Sequence, residues 1–356
     1  MLFNYRYVNN SIERFQVYLD HLVKEVWCKA TGAFSLDLLH PELKLIVEDI
    51  FNDDAVTKDH LDGPIKRIYE LFRTQLSADQ RQQVSRWYDH NNDIEALCAC
   101  CPDKPPATYA NIRAINTDLE SALKAFCKSL FTDIIHLKAV ASRIGDIDAH
   151  YTAFVAENKE GKCPYCGYGD IKGSHNTRRE AYDHFLPKGT YPFNSVNFRN
   201  LAPMCNECNS AYKLAKDPTR NIDPIRGKTE GVQRKAFYSY ATVATGITVT
   251  MTLQTKDVIN LLPKDIELQI TAPGREEEVE AWKDVFGIDE RYKAKLCAKN
   301  DGIAWIGHIV DEAENGDVTR DQLLALALRA ADRSPYDNAN FLKKPFLTAC
   351  QSARII

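Results

Sequence analysis

Apolar positions recur at three-to-four spacing through most of the first 155 residues, the period of one helix face. The pattern runs through SIERFQVYLDHLVKEVW from Ser11, PELKLIVEDIF from Pro41, PIKRIYELF from Pro64 and a long stretch from Tyr109 to Ile144. Ser77, opening the run SADQ, is suited to cap a helix, because its hydroxyl can accept from a free first-turn amide. The stretch CPDKPP, Cys101 to Pro106, breaks two such helices. A polar interruption, ENKEG at 157–161, precedes a different texture. From Gly161 to Lys228 the chain is rich in Gly, Pro, Asn and paired Cys and poor in apolar runs. Such a region cannot bury much core, so it needs another source of stability, and a bound metal supplies one. After Lys228, alternation over 237–254 and 266–272 predicts two or three strands. Helical spacing returns over 275–288, 289–299, 303–314 and 319–333. The pattern therefore predicts an α+β protein in three parts: a helical 1–156, a metal-stapled 157–228 and a mixed β-then-α 229–356.

A chain of 356 residues is longer than one average domain, which agrees with several parts. Its 44% hydrophobic and 26% charged residues allow a sizeable core. A formal net charge of −4 does not advertise a nucleic-acid binder. Between Glu157 and Lys228, however, twelve Lys and Arg stand against eight acids, a local excess of +4 that could serve a phosphate-binding strip. The opening MLFNYRYVNNSIERF has no apolar core segment and no run approaches 18 apolar residues, so neither a signal peptide nor a membrane span is expected. Eleven cysteines is an odd number, and Cys28, Cys127 and Cys350 stand in apolar, helix-like surroundings. Reduced thiols in the cytoplasm are expected, with any paired cysteines used for metal.

Two such pairs frame the middle region, Cys163-Pro-Tyr-Cys166 and Cys205-Asn-Glu-Cys208. A two-residue gap turns both thiolates of a knuckle toward one ion, and two knuckles complete the closed four-sulfur shell that suits structural Zn²⁺. The 38 residues between them form a closed loop, and chemistry must come from within or just after it. Cys98, Cys100 and Cys101 look like half a metal site, but no second pair lies near them. Inside the loop stands Tyr182-Asp183-His184-Phe185-Leu186-Pro187-Lys188. Asn200 follows sixteen residues after His184, Asn209 nine further on, and Lys213 four beyond that.

This order, DHFLPK then NL then CNECN then K, resembles the zinc-bearing branch of the HNH, or ββα-metal, endonucleases. The resemblance covers about fifty of the residues. It implies a strand ending in Asp-His, a loop containing Asn, and a helix opening with the second cysteine pair. Carried over residue by residue, it makes His184 the general base, Asp183 and Asn209 the ligands of a catalytic Mg²⁺ or Mn²⁺, and Asn200 the brace of the loop that orients His184. Other members of the family carry His where Asn209 stands, so the metal preferred here could differ. Phosphodiester hydrolysis needs a deprotonated water and neutralised phosphate charge, which an imidazole and a hard, oxygen-bound cation provide. Asp183 and His184 are strand neighbours and point to opposite faces, so they can converge only if the strand ends or bulges there. Lys213, one turn past Asn209, together with Lys188, Arg178 and Arg179, are the candidates to hold phosphate. Tyr191, Phe193 and Phe198 are expected to pack the module.

The resemblance implies an endonuclease acting on nucleic acid, with DNA favoured, and a place among bacterial anti-phage or restriction effectors. Such effectors work beside an ATPase or sensor subunit, and this chain shows no P-loop of its own. A single HNH site makes one cut, so a double-strand break would require a homo-oligomer or two visits. The competing reading is a non-catalytic zinc ribbon that binds nucleic acid or protein. The four cysteines would look the same in both; the Asp183, His184, Asn200, Asn209 series separates them.

Overall fold

A computed structural model of the protein describes residues 1–53, 56, 59–221 and 231–356. The described residues of the first segment are mainly helical. Among its described residues the helices are α1 (Arg14–His21), α2 (Pro41–Phe51), α3 (Asp62–Gln75), α4 (Ala78–Asn92), α5 (Ile94–Cys98), α6 (Tyr109–Ile115), α7 (Thr117–Thr132), α8 (Lys138–Ile144) and α9 (Ile147–Glu157). On α3 the buried residues are Ile65, Ile68, Tyr69 and Phe72, the three-and-four stripe seen in the sequence. Ser77 caps α4 as expected, its hydroxyl accepting from Gln80 N while the Gln80 side chain accepts from Ser77 N. The long apolar run from Tyr109 to Ile144 does not form one helix. Asn116 takes an extended conformation and caps α7 through Leu119 N, and Asp133 leads into a short 3-10 turn, Ile134–His136, before α8.

The middle segment pairs β1 (Ala181–His184) with β2 (Leu201–Met204) in antiparallel register, Asp183 opposite Ala202 and His184 opposite Leu201. Every residue of β2 is buried. The helix that follows the second cysteine pair is a π-helical turn, Cys208–Lys213, closed by a bond from Leu214 N to Asn209 O. β1, β2 and this turn make a small ββ-helix unit. The expected boundary at 228/229, and with it Asp223, Arg226 and Lys228 of the basic excess, lies outside the described residues.

In the last segment β3 (Thr248–Leu253) pairs with β4 (Ile266–Thr271) in a separate antiparallel hairpin. Alternation led to strand over all of 237–254, but residues 237–247 are not in a strand. Phe237, Tyr238, Ser239 and Tyr240 are buried instead against the middle segment, where the Tyr240 hydroxyl donates to Leu201 O and the Ser239 carbonyl accepts from Tyr5 N. Aromatic residues that bury both faces alternate poorly, so their period misleads. Helices α10 (Glu276–Phe286), α11 (Ile288–Leu296), α12 (Gly302–Asn315), α13 (Arg320–Arg333) and α14 (Asn340–Ser352) close the chain. α14, which holds Pro345 within it and packs on β3 and α13, is the one helix of this segment that apolar spacing did not announce. Buried apolar residues from all three segments join one continuous core. Mainly helical with two small antiparallel sheets, the protein is α+β. No helix among the described residues is long and apolar enough to cross a membrane.

Candidate metal centre and catalytic cleft

Cys163, Cys166, Cys205 and Cys208 are all buried, and their sulfurs lie within 4.8 Å of one another. A tetrahedral shell with Zn–S bonds of about 2.3 Å sets sulfurs about 3.8 Å apart, and the Cys166 to Cys205 separation is 3.9 Å. The backbone makes room for this. Gly167 turns the first knuckle with φ +81°, and a Cβ on Gly169 would stand 2.8 Å from the Cys205 sulfur. Gly169 N also points to the Cys166 sulfur at 3.3 Å, and the Arg291 guanidinium of α11 donates to the Cys208 sulfur at 3.2 Å. Four close sulfurs, with N–H donors around them, make a site able to hold a structural zinc. The C-terminal helices brace it further, since Tyr292 donates to Cys166 O and Trp282 to Tyr165 O.

The second polar cluster is at the end of β1. The strand stops at His184, and Asp183 and His184 are both buried there. The His184 Nε2 lies 2.8 Å from the Ser195 carbonyl. A carbonyl can only accept, so Nε2 carries the proton and Nδ1 keeps its lone pair. Phe131 of α7 meets the imidazole edge-on, ring centres 4.4 Å apart. Burial, and after it the Lys188 charge, push the His184 pKa down to about 3, against the pull of the Ser195 carbonyl. The imidazole is therefore neutral across the physiological range, with Nδ1 unprotonated.

Asp183 is equally buried, and desolvation raises its pKa despite the opposing charge of Lys213. Lys213 Nζ lies 2.9 Å from Asp183 Oδ2, but its well-aligned hydrogen bond goes to the His184 carbonyl, also at 2.9 Å. Asp183 Oδ2 thus faces the Lys213 ammonium and no other polar group among the described residues. The expectation that Lys213 shares the face of Asn209 and reaches phosphate is corrected here. The i to i+5 turn is wider than an α-turn, and Lys213 is fully buried beneath β1 while Asn209 is half-buried.

Asn200 ties the loop after β1 to the start of β2. It is fully buried, accepts from Leu186 N at 2.8 Å and donates to Leu186 O at 2.9 Å, while its own carbonyl accepts from Phe185 N. Asn209 stands on the first turn after the second knuckle, and none of the hydrogen bonds among the described residues involves its side chain. Tyr191, Phe193 and Phe198 are buried in the module. Of the cations, Lys188 is half-buried over the Phe131 ring at 4.7 Å. Arg178 and Arg179 are at the far end of β1, lining an open recess of about 600 Å³ with Asp148, Tyr151 and Thr152 of α9. Arg178 is exposed, whereas Arg179 is tied to Asp148 at 2.6 Å.

Two contributors went unread in the sequence. Ser195, whose carbonyl sets the His184 tautomer, sits in a loop with no distinguishing residue pattern. Phe131 looks like one more core aromatic of a helix, and only folding sets it against a histidine more than fifty residues later.

No family model matches the chain, and no solved structure matches it. It is similar to the Septu protein PtuB of Bacillus thuringiensis, 42% identical over 68 residues that make up 18% of this chain and 25% of that protein. The chain thus spans about a quarter of that relative's length.

Proposed function

We propose that the chain is a metal-dependent HNH endonuclease that hydrolyses phosphodiester bonds of nucleic acid, DNA in the first instance. One observation carries this reading: His184 is buried, neutral and held by Ser195 in the tautomer that leaves Nδ1 free as a base. In this mechanism Nδ1 takes the proton of the attacking water, and Asn200 and Ser195 hold the imidazole still while it does so. Asp183, a hard oxygen donor whose Oδ2 faces only the Lys213 ammonium among the described residues, and the Asn209 amide, which no hydrogen bond among them engages, are the groups that would hold a divalent cation such as Mg²⁺ or Mn²⁺. When bound there, that cation would neutralise charge at the phosphate and leaving oxygen. The four-sulfur cluster supplies shape and no chemistry. PtuB is a phage-defence protein, which supports a defence role for this chain; an ATPase or sensor partner would then supply the activating signal.

The test is cleavage of supercoiled plasmid with Mg²⁺ or Mn²⁺. His184→Ala should lower the rate by about 10²- to 10⁴-fold, the range for losing a general base, while keeping bound zinc. A His184→Ala protein that cuts as fast as the unmodified one rules the mechanism out and leaves the zinc-ribbon reading. Nicked rather than linear product would indicate one site acting at a time.

A further inference from the structure

The cleft is walled on one side by the helical segment. Phe131, near the end of α7, touches the His184 ring and also carries the Lys188 ammonium 4.7 Å from its own centre. Lys128 precedes Phe131 by three residues on α7, which places it on the same helix face. Lys128 is exposed and Lys188 half-buried; burial lowers the Lys188 pKa, the Asp183 carboxylate opposes the fall and the Lys128 charge adds to it. Among the described residues neither has a carboxylate within ion-pair distance. Their neighbours differ: Lys162, Lys172, Arg179 and Lys213 are each paired with an acid. Two ammonium groups beside one aromatic ring, one of them partly desolvated and neither in a close ion pair among the described residues, offer a place for an anion. The anion available next to a base that deprotonates the water attacking a phosphodiester is another phosphate of the same strand.

We propose that Lys128 and Lys188 grip one phosphate of the bound nucleic acid, with Phe131 as the wall between that phosphate and His184. The inference rests on the nuclease reading above and assigns part of the substrate site to the helical segment. That segment would then be a working part of the cleft and set where the strand enters.

The experiment uses the full-length, zinc-containing protein carrying His184→Ala, so that DNA is held uncut. Binding of a fluorescein-labelled DNA duplex is followed by anisotropy over a range of salt concentrations. Adding Lys128→Gln should weaken binding roughly three- to tenfold and flatten the log–log salt slope by about one, the signature of one lost phosphate contact. Lys128→Arg should restore both, and Lys264→Gln, at an exposed position of the β3–β4 connection, should change neither. Lys188→Gln should lose as much as Lys128→Gln, and the double variant little more than either. Unchanged affinity and slope for Lys128→Gln would overturn the inference and leave the nuclease reading standing. Losses that simply multiply in the double variant would assign two separate phosphates and overturn the shared grip. A parent protein that binds no DNA would remove both readings together.

Discussion

The sulfur cluster and the cleft at the end of β1 are both buried and polar, and they are satisfied in opposite ways. Around the four cysteines the backbone and Arg291 are already turned toward the sulfurs. At the end of β1, both amide atoms of Asn194 and the Ser195 hydroxyl are buried without hydrogen-bond partners among the described residues. Each such atom costs on the order of 1–3 kcal/mol, so their gathering around one histidine marks a place shaped for something other than stability. Asn200, between them, is fully bonded and keeps the walls in place. The difference teaches that one cluster is a staple, closed by the chain itself, and the other is a socket.

The largest effect should come from breaking the staple. Cys205→Ser, or chelation of the metal, should drop zinc content measured by elemental analysis from about one ion per chain and abolish the cooperative melt of the middle module. Structural zinc contributes roughly 10 kcal/mol or more of binding free energy that a small, core-poor unit cannot replace. A protein of unchanged melting profile with no zinc would dissolve the comparison. The next effect tests the socket. Lys213 and Asp183 are a buried pair with side chains 1% and 7% exposed. Lys213→Met should destabilise by about 3–5 kcal/mol by leaving Asp183 charged and alone, and Asp183→Asn added to it should recover most of the loss in a denaturant titration. A loss of under about 1 kcal/mol would mean that the carboxylate is already neutral or solvated.

The smallest effect concerns the wall of the module. His150 of α9 bonds the Tyr182 hydroxyl, and burial pushes its pKa down to about 4 against the pull of the Val8 backbone. The unfolded chain, with histidine near its ordinary 6.5, binds that proton first. Stability from neutral His150 is therefore full above pH ~6.5 and lost as pH falls toward about 4. His150→Gln should remove on the order of 2 kcal/mol of that acid-side slope, read as a flatter stability profile between those limits. An unchanged slope would place the proton uptake elsewhere.

Much of the staple and part of the socket were legible in the chain. Two cysteine pairs with two-residue gaps admit few uses, because ligand spacing is local geometry, and the sulfurs converge in the fold as that spacing demands. Asp183-His184 and Asn200 were readable for a similar reason: a strand end and a loop brace depend on near neighbours. The helical first segment followed from periodicity, although its longest run was divided by the capping of Asn116. Two things came only from tertiary structure. The π-turn after Cys208 buried Lys213 under Asp183, since a shift of a fraction of a turn moves a side chain from surface to core and no composition encodes it. The packing of α7 brought Phe131 to His184 and to Lys188, contacts between residues more than fifty positions apart. What the sequence determined by itself is the chemistry that local spacing can hold; what surrounds that chemistry, and which charges stay unpaired beside it, was decided by the three-dimensional packing of distant helices.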